Sequence, residues 1–136
     1  MSGGVERAIR ASVVPGAELR TPSRQKPFSI DSIDGEGVVL LLGRQRAWTR
    51  LSWTCLEGVD DFLTGRGWVR VTGTGYSTEV DPGTLDGYLK GCVNRATAAW
   101  VAALLERAGV AEIDRSLPMR IRRKASGDRD LPIGTA

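Results

Sequence analysis

The 136-residue chain contains no histidine, so the commonest general base and the usual metal ligand are missing. Serine-histidine and cysteine-histidine nucleophilic chemistry is thereby excluded. The two cysteines, Cys55 and Cys92, each lie inside an apolar stretch and read as buried, reduced thiols. Two thiols without histidine are too few ligands for zinc. A carboxylate-lysine nuclease needs a glutamate two places before a lysine, and those places hold Arg24, Tyr88 and Arg122. Gly73-x-Gly75 lacks the strand-glycine-helix setting of a phosphate or dinucleotide site and reads as loop. Asp31, Asp34 and Glu36 could offer oxygen ligands to a divalent cation, but acids beside glycines are ordinary turn residues. Glu57, Asp60 and Asp61 fall early in a helix, where the macrodipole favours carboxylates. Nothing here points to an enzyme, and no cofactor or metal is expected.

Charge is a better guide, because it is unevenly spread. Residues 1–26 hold five basic and two acidic side chains, residues 27–114 eight and twelve, and residues 115–136 six and two. The middle is acidic and the ends are basic, so any nucleic acid must be met by the ends. Arginine makes up 16 of the 19 basic residues, a bias that a GC-rich genome would produce without selection for binding. No stretch is long and apolar enough to span a membrane, and the N-terminus has no apolar run of signal length. A cytoplasmic location with no membrane association is the expectation.

The elements that must position these charges are legible from periodicity. Residues 1–26 mix Gly, Pro, Ser and charges and read as a flexible basic N-terminal arm, with a short helix possible over Val5 to Val14 before Pro15-Gly16. A globular domain is expected over 27–124, and a disordered tail over 125–136. Phe28, Ile30 and Ser32 alternate, and Val38–Leu42 is an apolar run after a Gly-containing turn, which predicts a hairpin. A third strand follows over Ala47–Leu51, burying either Ala47, Thr49 and Leu51 or Trp48 and Arg50. Thr54 and Glu57 fit a capping box for a helix running to about Leu63. Gly67–Val71 reads as a strand. The expected fold is α+β: a single small domain with a mainly antiparallel sheet, two or three helices and a C-terminal β-hairpin. Trp48 or Trp53, together with Trp68 and Trp100, are expected to help build its core.

The C-terminal third carries the strongest pattern. Val93, Thr97, Trp100, Val101, Leu104, Leu105 and Ala108 recur at steps of three and four, with Gly109 as the stop. Thr84 is a good N-cap. Leu85, Tyr88, Leu89 and Cys92 extend the pattern backward, so one rod over 85–108 competes with two helices turning near Gly91–Asn94, the favoured form. Ala111–Asp114 and Pro118–Arg123 then pair across Arg115-Ser116-Leu117.

This helix, turn, longer helix and basic hairpin over Thr84–Lys124 resembles the winged helix-turn-helix of DNA-binding regulators. The resemblance implies double-stranded DNA as partner and 95–108 as the recognition helix. Asn94 and Arg95 would then lie near bases, with Ala98 and Ala99 possible additions, and Arg115, Arg120, Arg122, Arg123 and Lys124 would form the wing. The face Ala98, Ala99, Ala102 and Ala103 offers little to read a base edge and is as well suited to packing. The second expectation is therefore a non-catalytic interaction subunit, a homodimer or a partner's docking site, with those alanines as its interface.

Overall fold

The computed structural model describes residues 4–22, 25–43, 45–71, 83–92, 97–116 and 119–124. The chain opens with a helix, α1 (Gly4–Ser12), and a short strand, β1 (Glu18–Arg20). Val5, Ile9 and Val13 recur every four positions, so one side of this segment is apolar and is buried in the core. Pro15 and Gly16 end it as expected, Gly16 taking a positive φ of 93°. The described part of 1–26 is therefore not an arm. Its apolar spacing, only a little over two turns long, was outweighed there by the polar residues around it.

Strands β2 (Pro27–Ile33), β3 (Gly37–Leu42) and β4 (Ala47–Ser52) follow as the predicted meander. With β1 they form a four-stranded antiparallel sheet in the order β1-β2-β3-β4. A register shift between Ile30 and Ser32 leaves Asp31 as the extra residue of a bulge. Of the two ways to bury the last strand, the fold takes Thr49 and Leu51 inward. Trp48 is left 56% exposed, with the Arg50 guanidinium over its ring. Gly37 is required where it stands, since a Cβ there would run into the Leu51 carbonyl.

The second half contains α2 (Trp53–Leu63), β5 (Val69–Arg70), α3 (Leu85–Lys90), α4 (Ala98–Arg107), β6 (Ala111–Asp114) and β7 (Arg120–Arg123). Four helices are thus described, not two or three, the additional one being α1. The N-cap of α2 is Ser52, whose hydroxyl accepts from the Cys55 N–H at 3.1 Å, and not Thr54. That frees Glu57 for another task. Its carboxylate accepts from the Val5 and Glu6 N–H groups at 3.0 and 2.9 Å and so caps α1 across the tertiary fold. Thr84 caps α3 as predicted, accepting from the Gly87 N–H at 3.0 Å. The predicted hairpin is present, Ala111 facing Arg123 and Asp114 facing Arg120. It gains a third strand that the sequence reading did not pair with it: β5 lies along β7, giving the order β5-β7-β6.

One hydrophobic cluster runs through both halves, from Val5 and Ile9 through Leu40, Leu56 and Leu104 to Ile121. Trp53 belongs to it and Trp100 packs on its edge. Trp68 does not, being 37% exposed beneath the Arg122 guanidinium, 4.4 Å from its ring centre.

Candidate nucleic-acid interface

Strand alternation decides where each hairpin arginine goes. Arg120 and Arg122 stand on the outer side of β7, opposite Asp114 and Glu112 of β6. Each meets its cross-strand acid, at 2.8 and 2.9 Å. Arg123, on the other side, reaches back to Asp60 of α2 at 2.6 Å. Arg115 closes a two-pronged contact with Glu106 near the end of α4, at 2.7 and 2.6 Å. The Glu106 carboxylate beside it holds the Arg115 guanidinium above its ordinary pKa. Asp114 is held below the usual carboxylate range, first by the Ser116 hydroxyl and N–H and then by Arg120.

The predicted wing residues are therefore all on one small element, but their charge is matched. Arg115, Arg120, Arg122 and Arg123 give +4, and Glu106, Asp114, Glu112 and Asp60 give −4. Lys124 is exposed and has no ion pair among the described residues. Beside it a cleft of about 470 Å³ separates α1 from the base of the hairpin, lined by Arg7, Ala8, Ala11, Val110, Arg123 and Lys124. Arg7, like Lys124, is exposed and has no carboxylate partner among the described residues. With Asp60 on the same wall, the charges there are Arg7, Arg123 and Lys124 against one acid, a local +2. The sequence reading passed over Arg7, although it is the polar position between Val5 and Ile9 on an amphipathic helix, and that spacing was the signal for it.

The longer helix has a different role from the expected one. Its chain is not one rod with α3, which stops at a Gly91 C-cap, whereas α4 starts only at Ala98. Asn94 and Arg95 lie outside the described residues. Every residue from Val101 to Leu105 is buried, as in a helix surrounded on all sides. Ala98, Ala102 and Ala103 are 3%, 0% and 6% exposed and Ala99 is half-buried. The alanine face is therefore neither a groove reader nor an open interface. α1 and β1 lie against α4, Leu19 and Ala103 lining one shallow groove. Small side chains allowed this close approach, and the partner came from the chain's own N-terminus.

Asp34 and Glu36 are tied into the turn between β2 and β3. Asp34 accepts from the Glu36 and Gly37 N–H groups at 2.9 and 3.2 Å, and Arg50 bridges it to Glu36. These contacts, the Glu36 N–H foremost, hold its carboxyl below the ordinary value. Among the described residues no group of three or more Cys, Asp or Glu could hold a metal ion, and no helix is long and apolar enough to cross a membrane. No protein-family model, curated protein or solved structure matches the chain.

Proposed function

We propose that this protein is a small nucleic-acid-binding regulatory module of winged-helix-like organisation. It holds double-stranded DNA by the phosphate backbone, through the C-terminal hairpin and α1. The observation that carries this reading is the meeting of cations from both ends of the chain, Arg7 with Arg123 and Lys124, on the rim of one cleft beside the arginine hairpin. The element order supports it: α3, α4 and the β6-β7 hairpin, with β5 alongside β7, follow the winged helix-turn-helix arrangement read over Thr84–Lys124.

The paired arginines are compatible with this role. Exposed ion pairs are worth only about 0–1 kcal/mol, so Arg120 and Arg122 can exchange a carboxylate for a phosphate at small cost. Because α4 is buried under α1 and β1, base edges are left unread, and binding on this reading is independent of sequence. The test is duplex binding as a function of salt. Two to four phosphate contacts give a log-log slope of about −2 to −4. The triple variant Arg120→Ala, Arg122→Ala, Arg123→Ala and the single variant Arg7→Ala should each flatten it. Absence of binding at ~50 mM salt overturns the reading. So does a strong preference for one duplex sequence.

A further inference from the structure

The four-stranded sheet has two faces, and they differ in what they meet. Phe28, Ile30, Val38, Leu40, Leu42 and Leu51 belong to the central cluster, whereas Val39, Leu41 and Trp48, on the other face, form no part of it. Strand register sets the outer residues in rows: Glu18, Ser29, Leu41 and Trp48 in one, Ser32, Val39 and Arg50 in the next. Trp48 ends its row on β4, an edge strand, and at 56% exposure is the most exposed aromatic ring among the described residues. Arg50 holds it from one side. Its guanidinium lies over the ring, 5.6 Å from the centre, and is itself tied to Asp34 and Glu36. Charge is polarised along the strands. Those two acids lie in the turn at one end, and the acid of the Trp48 row, Glu18, lies across the sheet on β1. At the other end Arg20 faces Pro27, Lys26 precedes β2 and Arg46 precedes β4. All three cations are exposed and none has an ion pair among the described residues. They span the width of the sheet, three strand spacings of about 4.8 Å each.

We propose that this outer face is a binding site for single-stranded DNA, with an unpaired thymine stacked on Trp48 and the flanking phosphates met by Arg46, Lys26 and Arg20. An exposed aromatic ring beside cations is the pairing that unpaired bases and their backbone require. Bases inside a duplex are already stacked on one another and do not offer a face to the ring. The guanidinium on one side of Trp48 fixes the ring's orientation and leaves the open side for the base. Leu41, half-buried and facing Trp48 across the strand pair, gives the thymine methyl an apolar contact. Next in the row is Ser29, whose hydroxyl is buried without a partner. Neither side chain can reach a ribose 2′-hydroxyl, so the site favours DNA over RNA. A second copy of the chain covering this end would set the same three cations against each other, whereas the phosphates of a strand match them. The site is on the face turned away from the core that holds Val5 and Ile9 of α1, and it does not rest on the duplex reading.

The test is fluorescence anisotropy of the full-length protein with labelled oligothymidylate of about twelve nucleotides, at ~50 mM salt. Trp48→Ala should weaken binding by about 10–100-fold and leave duplex binding as it was, so that failure of this site and failure of the duplex reading show separately. Trp48→Phe, which keeps an aromatic face, should retain most of the affinity and so separates stacking from any effect on the fold. Arg46→Ala and Lys26→Ala should each flatten the log-log salt slope by about 0.7. Oligodeoxyuridylate, lacking the methyl, should bind more weakly, and oligouridylate more weakly still. Absence of oligothymidylate binding overturns the proposal, as does a Trp48→Ala variant that binds like wild type. Equal affinity for oligouridylate overturns it too, and so does self-association of the free protein that Trp48→Ala abolishes, since a second copy would then occupy the face.

Discussion

Residues 4–22 and residues 111–124 are the two basic regions of the described chain, and they are held in contrasting ways. The first places Val5, Ile9, Val13 and Leu19 in the central cluster. Its helix end is capped by a carboxylate from another element, and it covers the alanine side of α4. The second anchors fewer side chains, chiefly Ala111 and Ile121, and pairs its arginines with acids, two across the hairpin and two on α2 and α4. Both are net basic, three basic against two acidic side chains in the first and five against two in the second. What separates them is apolar spacing, because burying an Ile or Leu is worth about 1.5–3 kcal/mol, whereas a surface ion pair is worth about 0–1 kcal/mol.

The contrast can be broken most severely at α4. Ala102→Glu would bury a carboxylate without a partner at a position with no exposure. We expect loss of the cooperative thermal transition by circular dichroism, a cost above about 4 kcal/mol. Were the alanine side an open interface, the same change would leave the fold intact. Next in size is Ile9→Ala, expected to cost about 2–5 kcal/mol in urea unfolding; a free arm would give nothing. Glu57→Ala removes the cap on α1 and should cost about 1 kcal/mol, with faster amide exchange confined to the first turn of that helix. At the hairpin the numbers fall. A double-mutant cycle on Arg123 and Asp60 should give a coupling of about 0–1 kcal/mol.

The smallest effect is with acid. The folded-state carboxyls of Asp34 and Asp114 lie below their ordinary 3.8. Their contribution to stability is thus present above that value and is lost as pH falls through the lower folded-state value. The wild-type protein and Asp114→Asn should therefore converge in melting temperature only below pH 3.8.

Much of this was legible from sequence, and the gaps have a common cause. The meander, the Thr84 cap, the break between α3 and α4 and the hairpin all follow from local alternation, capping residues and glycines. Missed were contacts between distant segments. Nothing near Glu57 says that it caps a helix 51 residues earlier, and nothing near Ala102 says which element will lie against it. The pairing of β5 with β7 joins Val69 to Ile121, equally beyond any local pattern. At the candidate site the arginines themselves were legible, but the acids that match them were not, because Asp60 and Glu106 come from other elements.

The central claim is that α1 is a working part of the core and closes α4 off from any groove. Native-state amide hydrogen exchange tests it most directly, since exchange reports the opening free energy of each segment. If α1 and α4 open together, the amides of Ile9 and Arg10 exchange within about tenfold of those of Val101 to Leu105, a gap of about 1.4 kcal/mol or less. Exchange of the α1 amides at the rate of an unstructured peptide, with α4 still protected, would contradict the claim.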